Sequence, residues 1–201
     1  MAHRTGRATL EVALIVIVVF VLQYALLLLG FGMELFALSM PLAEYPWTIV
    51  LAVYAHGGPG HLVANLIGLL IFGFIVERRT ARRRFHAFVL LTGAIAALAE
   101  VFIGSLVGPS PVVLGISGAV FALMGYVFTS NPVSDTVLDW LEVDWRVQIA
   151  LFIIVAALLT WLTAGERVAL IAHFTGLVLG LIAGRIHLLR HPGMQHQSFN
   201  G

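Results

Sequence analysis

The chain has 201 residues, of which 60% are hydrophobic and only 10% are charged. Soluble domains carry about a quarter charged residues, so this composition excludes an ordinary soluble protein and predicts an all-α membrane protein. The net charge of +1 gives no argument for a nucleic-acid partner, because the basic residues, all arginine, cluster at the ends of apolar segments. The lack of cysteine excludes disulfides and thiolate metal sites.

Residues 1–9 form a short basic head that contains Arg4 and Arg7, and an apolar run follows over residues 10–30. The run is about as long as a bilayer span and has no small-residue cleavage site after a short core. We therefore interpret it as a retained helix and not as a signal peptide. Glu11 stands at its entrance, where a charge can remain in the interface. The two arginines predict a cytoplasmic N-terminus.

Residues 31–60 form an unusual connection, which contains Pro41, Pro46 and Pro59 together with two glutamates. Its apolar patch at residues 47–55 is too short to cross about 30 Å of hydrocarbon. Because Pro46 and the Gly-Gly-Pro-Gly sequence at residues 57–60 bound this patch, we predict a partly embedded first outer loop.

Five more apolar runs bring the predicted number of spans to six. The spans cover residues 10–30, 61–76, 86–104, 115–130, 147–164 and 168–189, so that residues 10–189 form the membrane domain and residues 190–201 a polar tail. With both termini in the cytoplasm, ten arginines fall on the cytoplasmic side and only Arg167 outside. We therefore predict a multi-pass protein of the cell membrane. Glu100, near the outer end of the third span, is expected to be hydrated or paired and not catalytic.

The fourth span opens on the sequence Gly-Ile-Ser-Gly at residues 115–118, which places the Ser117 hydroxyl between two glycines. Because glycine has no Cβ, the chain can turn sharply there and a neighbouring helix can come close. A purely structural role is also open, since Gly118, Ala122 and Gly125 have the spacing of a membrane-helix packing surface on which serine is common. A short motif of this kind needs support from the rest of the chain.

Polar residues of three spans are predicted to meet at one depth. In the six-span topology the second, fourth and sixth spans all begin outside, and their polar side chains lie near those beginnings: His61, Asn65, Ser117 and His173. His61 and Asn65 share a helix face because they are four residues apart. An ionisable group in an apolar span, such as His173, is costly and by default suggests function. A glycine repeat after His173 can bring the sixth span against the fourth.

These residue types suit acyl transfer. A serine hydroxyl becomes a good nucleophile when a neighbouring base, here His173, takes its proton. Side-chain donors from His61 and Asn65, with the Ser117 backbone N–H, can stabilise the negative charge that develops on the attacked carbonyl. No acidic residue is predicted in this layer, so the expected arrangement is a Ser-His dyad and not a triad.

Two other roles stay open for these polar residues. His61 and Asn65 also suit a helix cap or an interhelical bridge, although such hydrogen bonds contribute only about 0.6 to 2 kcal/mol in membranes. His56, His61 and His173 together suggest a metal site, which we disfavour because no carboxylate or cysteine accompanies them. The convergence of several costly residues at one depth favours a catalytic site.

Between residues 47 and 184 the sequence resembles the rhomboid family of intramembrane serine proteases. The matching motifs, in chain order, are His56 with the H-x-x-x-N of His61 and Asn65, the E-x-R of Glu77 and Arg79, the G-x-S-G of Gly115, Ser117 and Gly118, and the A-H-x-x-G-x-x-x-G of Ala172, His173, Gly176 and Gly180. Each motif alone is weak, whereas the four in this order are highly specific.

The resemblance implies a six-transmembrane-helix rhomboid-like bundle that cleaves transmembrane protein substrates within the lipid bilayer, without a cofactor or metal. It implies Ser117 as the nucleophile, His173 as the general base, and His61 and Asn65 as oxyanion donors. The residues expected to pack around this site are Gly115, Gly118, Phe121 and Gly176.

Two positions depart from the family pattern. Many members have tyrosine four residues after the serine, where this chain has Phe121, which keeps the ring and loses the hydroxyl. Many also have Trp-Arg in the first loop, where this chain has Trp47 followed by Thr48. Neither departure removes a reacting group.

Two rival functions compete with that of a protease. A non-catalytic rhomboid-like protein that binds membrane clients is disfavoured because such proteins typically lack the serine or the histidine, and both are present. A transporter or metal-binding protein is disfavoured because the chain shows no inverted repeat and no charged residue at mid-depth.

Overall fold

The computed structural model describes residues 7–130, 144–162 and 169–190. Within them the chain forms seven α-helices and one 3₁₀ turn, and its only extended pairing is a single bridge between Leu38 and Val113. The helices are α1 (Arg7–Leu28), α2 (Thr48–Leu51), α3 (Pro59–Glu77), α4 (Arg82–Val107), α5 (Ser117–Thr129), α6 (Trp145–Leu162) and α7 (Leu170–Arg185). The fold is therefore all-α, as the composition predicted.

The helices follow the predicted spans with shifted ends. Helix α1 begins at Arg7, inside the predicted head, and α4 extends beyond both ends of the predicted span at residues 86–104. Hydropathy misses the helix beginnings at Arg7 and Arg82 because arginine side chains at a helix end can reach the interface while the backbone stays helical. The predicted tail at residues 190–201 and the connection at residues 131–144 lie almost wholly outside the described residues.

Within the described residues three helices, α1, α3 and α4, are long and apolar enough to cross a membrane. Helices α5 and α7 are apolar but shorter, with 13 and 16 residues, or about 20 and 24 Å at 1.5 Å per residue. The structure therefore supports a bundle of several apolar helices, and the count of six spans stays a prediction.

Helices α5 and α7 pack closely along most of their length, as the spacing of small residues predicted. A Cβ added to Gly176 would overlap the backbone of Gly118, and one added to Gly180 would overlap the backbone of Ala122. Close packing of backbones is how helices associate in a membrane, where lipid tails are as apolar as the side chains. The two segments that carry Ser117 and His173 are thus held against each other.

The first loop packs against the bundle between α1 and α4. Helix α2 within it has only four residues, and Val53 just after it contacts Gly93 of α4. Leu38 and Val113 exchange two backbone hydrogen bonds of 2.8 and 2.9 Å, which join the first loop to the segment that precedes α5. The loop therefore supports the chain that leads to Ser117. Its position relative to the bilayer stays a prediction.

The described arginines gather at one end of the bundle. Arg82 binds Glu11 at the start of α1, Arg84 donates to the backbone carbonyl of Arg190, and Arg190 donates to that of Ser130 at the end of α5. This grouping agrees with the predicted charge asymmetry of the chain. Arg4 and Arg167, on which the ten-to-one count also depends, lie outside the described residues.

Candidate active site

A cavity of about 580 Å³ lies at the end of the bundle opposite the arginines. Its lining includes all four polar residues that were predicted to share one depth: His61, Asn65, Ser117 and His173. These residues come from the beginnings of three helices, α3, α5 and α7, which run in the same direction. The antiparallel helix order therefore brings together side chains separated by more than 100 residues.

Ser117 is the first residue of α5 and follows a sharp turn of the chain. Gly115 has φ of +128°, a conformation that side chains other than glycine rarely adopt, and its N–H donates to the carbonyl of Ala52 at 2.8 Å. A Cβ on Gly115 would also come within 2.8 Å of the His61 ring. Since the first N–H groups of a helix have no partner within it, the turn leaves backbone donors beside the Ser117 hydroxyl.

His173 lies in the first turn of α7 with its ring stacked on Phe121 of α5. The ring centroids are 4.2 Å apart and the planes differ by 16°. The Nδ1 atom of His173 is buried without a hydrogen-bond partner. The orientation of the ring therefore depends on its backbone and on Phe121, and the phenylalanine supplies packing where a tyrosine would also supply a hydroxyl.

Ser117 and His173 share the cavity, and among the described residues no hydrogen bond joins their side chains. Catalytic hydrogen bonds are often long before substrate binds and shorten in the complex. The close packing of Gly176 on Gly118 limits how far the two segments can separate. The geometry thus places a hydroxyl and an imidazole on two helices whose backbones are in contact.

His61 and Asn65 line the wall of the cavity formed by α3. The Asn65 amide is buried and donates to the carbonyl of His61 at 2.9 Å. Because a carboxamide nitrogen carries two hydrogens, this bond leaves a second donor. His61 is exposed, and its ring lies at 60° to the His56 ring with the centroids 5.1 Å apart. Both residues are therefore placed to donate into the cavity.

His56 is buried in the first loop, before α3 begins. Its Nδ1 lies 3.1 Å from the carbonyl of Tyr54, and Gln23 of α1 forms two hydrogen bonds with its backbone, at 2.8 and 3.1 Å. Burial, and then the proximity of His61, lower the pKa of His56 to about 4. The ring is therefore neutral near pH 7 and packs against the His61 ring without a charge. Within the described residues no group of three His, Cys, Asp or Glu side chains could hold a metal ion.

Sequence reasoning missed one residue that supports the site, and for another it predicted pairing without identifying the partner. The first is Gln23, whose amide ties α1 to the first loop. The second is Glu100 of α4, whose carboxylate accepts a hydrogen bond of 2.9 Å from the backbone N–H of Ala172, next to His173. A single polar residue in an apolar helix was the available signal in each case. It does not reveal the partner, which lies far away in the sequence.

Comparison with known proteins finds matches over most of the chain. A family model described as "Rhomboid domain" matches residues 43–190, which is most of the chain. The chain is 26% identical over 187 residues to the Rhomboid protease GlpG of Haemophilus influenzae, covering 88% of this chain and 90% of that protein. It is 28% identical over 193 residues to the Rhomboid protease GlpG of Serratia proteamaculans, covering 90% of this chain and 63% of that protein.

A plant relative is also similar. RHOMBOID-like protein 5 of Arabidopsis thaliana is 29% identical over 146 residues, which cover 72% of this chain and 45% of that protein. The chain therefore spans less than half of the plant protein but nearly all of the one from Haemophilus influenzae. Two of these three relatives are named as proteases.

Proposed function

Because this chain belongs to the rhomboid family, we propose that it is an intramembrane serine protease that cleaves transmembrane proteins through a dyad of Ser117 and His173. The observation that carries the proposal is that one cavity is lined by these two residues together with His61 and Asn65. The contact between the backbones of α5 and α7 supports it, because it holds the two reacting side chains on neighbouring helices.

In the proposed reaction Ser117 Oγ attacks the carbonyl carbon of the substrate peptide while His173 takes the hydroxyl proton. We assign this proton to Nε2, because Nδ1 of His173 is buried. The imidazolium then gives the proton to the leaving amine, and an acyl-enzyme remains on Ser117. A water molecule, deprotonated by the same histidine, then attacks the acyl carbon. The bond from this carbon to Ser117 Oγ breaks, the imidazolium returns the proton to Oγ, and the new carboxyl end of the substrate is released.

The negative charge that forms on the attacked oxygen needs donors that are in place beforehand. The side chains of His61 and Asn65 and the backbone N–H of Ser117 supply three candidates on two walls of the cavity. Loss of one such donor typically slows an acyl-transfer enzyme by about 10²- to 10³-fold. Both side chains are therefore assigned to the oxyanion site.

The position of the cavity near the helix beginnings predicts how water and substrate enter. Water reaches Ser117 from the end of the bundle opposite the arginines, which in the proposed topology faces outward, with both termini cytoplasmic. A substrate helix must unwind locally to present an extended backbone to Ser117. We therefore expect cleavage near small or helix-breaking residues of transmembrane segments.

The test is cleavage of a transmembrane substrate by the purified chain reconstituted in lipid vesicles. Ser117→Ala should reduce the rate by at least about 10⁴-fold, because the nucleophile is gone. Ser105→Ala is the matched control, since this serine bonds to the Val101 carbonyl of its own helix. Cleavage by Ser117→Ala would contradict the proposal. A wild-type chain that binds the substrate without cleaving it would favour the non-catalytic, client-binding function.

A further inference from the structure

We propose that Glu100 is a positioning residue for His173: it holds the first turn of α7 in the position from which the imidazole can take the proton of the Ser117 hydroxyl. The inference rests on the proposed protease function and adds a residue on a fourth helix, α4, to the support of the site. Glu100 belongs to none of the motifs that the sequence shares with the family.

The start of α7 lacks a cap of its own. The residue at its N-cap is Ala169, which makes no side-chain hydrogen bond there. Serine, threonine, aspartate and asparagine are preferred at this position because their oxygens accept from the unpaired N–H groups of the first turn. Alanine has no such oxygen, so the acceptor must come from another part of the molecule.

Glu100 supplies the missing acceptor. Its Oε2 atom accepts from the N–H of Ala172 at 2.9 Å, across 72 positions of sequence. Ala172 is 3% exposed, so water cannot readily replace the carboxylate there. A negative charge at a helix N-terminus also interacts favourably with the helix dipole. This partner explains why the otherwise apolar middle and outer parts of α4 carry one acidic residue.

The same face of α4 reaches both reacting segments. Ala96, one turn before Glu100, lies so close to Gly118 that a Cβ on this glycine would be 2.6 Å from the Ala96 methyl. Gly118 directly follows Ser117, and Ala172 directly precedes His173. Helix α4 therefore contacts the neighbour of the nucleophile and the neighbour of the base.

The position of the α7 backbone matters because the His173 ring has little else to orient it. Its Nδ1 atom has no hydrogen-bond partner, and Phe121 constrains the tilt of the ring by stacking. A misplacement of about 1 Å can cost about 100-fold in rate. A small movement of the first turn of α7 is thus expected to lower kcat more than it changes the affinity for substrate.

The experiment compares Glu100→Asp and Glu100→Gln with wild type in vesicles, measuring kcat and KM on one transmembrane substrate. Aspartate keeps the charge but is one methylene shorter, so it withdraws the oxygen from Ala172; we expect kcat to fall about 10-fold with KM unchanged within about twofold. Glutamine keeps an oxygen at the same reach and should retain kcat within about threefold.

Glu77→Asp is the matched control. Glu77 accepts hydrogen bonds from the start of α1, far from the cavity. The shorter aspartate side chain should therefore lower the unfolding temperature without changing kcat of the folded enzyme. Full activity of Glu100→Asp, a loss in Glu100→Gln as large as in Glu100→Asp, or an equal loss in Glu77→Asp would each overturn the inference. An inactive wild-type chain would overturn the proposed function and the inference together, whereas an active wild type beside a fully active Glu100→Asp would overturn the inference alone.

Discussion

Glu77 and Glu100 each accept hydrogen bonds from the first turn of another helix, at opposite ends of the bundle. Glu77, at the end of α3, accepts from the N–H and hydroxyl of Thr9 in the first turn of α1, at 2.8 and 2.9 Å. Glu100, near the end of α4, accepts from Ala172 in the first turn of α7. The two ends differ in the residues that come after each capped position: an apolar span after Thr9, and His173 after Ala172. The same contact therefore supports the fold at one end and the candidate site at the other.

Each carboxylate also lies one turn from a close contact between two helices. Four residues before Glu77, a Cβ on Gly73 would meet the Thr9 side chain at 2.7 Å. Four residues before Glu100, the methyl of Ala96 meets Gly118. Substitutions at the two ends can thus be matched in chemistry and in distance from a helix start.

The largest effect is expected from a methyl group between α5 and α7. Gly176→Ala places a Cβ against the backbone carbonyl of Gly118, which cannot move aside as a side chain can. We expect a loss of about 3 kcal/mol in stability and of more than about 100-fold in cleavage rate. Gly73→Ala, whose Cβ meets the side chains of Thr9 and Phe85, should cost less stability and leave the rate per folded molecule unchanged. Thermal unfolding and cleavage assays test this prediction. Equal rate losses in both variants would show that the two ends of the bundle do not differ in their effect on the site.

Removal of the Glu77 carboxylate should cost more stability than removal of the Glu100 carboxylate, whereas removal of Glu100 should cost more activity. Glu77→Leu leaves two buried donors of Thr9 unpaired and should cost about 3 kcal/mol, whereas Glu100→Leu leaves one and should cost about 1 to 2 kcal/mol. In kcat per folded molecule, Glu100→Leu should lose about 10- to 100-fold and Glu77→Leu less than about twofold. The same order in both measurements would show that activity only follows stability.

A smaller effect is expected at Phe121, whose ring lies against that of His173. Phe121→Leu removes the ring stacked on His173 and should lower kcat about 10-fold, because the imidazole gains rotational freedom. Phe121→Tyr keeps the ring and should stay within about threefold of wild type. A fully active Phe121→Leu would show that stacking does not orient the base.

The smallest effect is expected from the ion pairs at the surface of the arginine-rich end. Arg82 binds Glu11 at 2.6 Å, but its side chain is 60% exposed, and Glu11 also contacts Arg7 and His86. Since exposed ion pairs contribute little, Arg82→Gln should shift the unfolding temperature by less than about 2 °C and leave cleavage unchanged. A large loss of activity would show that this end communicates with the cavity.

Much of this arrangement can be predicted from local sequence patterns. Apolar runs and arginine positions predict the helix order, and that order brings His61, Asn65, Ser117 and His173 to one depth. The spacing of Gly176 and Gly180 predicts the close contact with α5, because small residues four apart leave a groove on one helix face. These predictions succeed because they depend on residue spacing and helix direction, which can be read from one segment of the sequence at a time.

The contacts that hold the site in place are less accessible to such reasoning. Nothing near Glu100 indicates that its partner is Ala172, and nothing near Gln23 indicates that it binds the backbone at His56. The pairing of Leu38 with Val113 likewise joins two irregular segments that have no period to read. Such contacts depend on how helices and loops pack in three dimensions, so a lone polar residue in an apolar helix predicts a partner without naming it.

The activation of Ser117 by His173 is tested most directly by labelling the purified, folded chain with a serine-directed fluorophosphonate. The wild-type chain should become labelled on Ser117, whereas Ser117→Ala and His173→Ala should lose the label, since one lacks the nucleophile and the other its base. Ser105→Ala should label as wild type does. A folded wild-type chain that stays unlabelled, or a His173→Ala variant that labels at the wild-type rate, would contradict the proposed dyad.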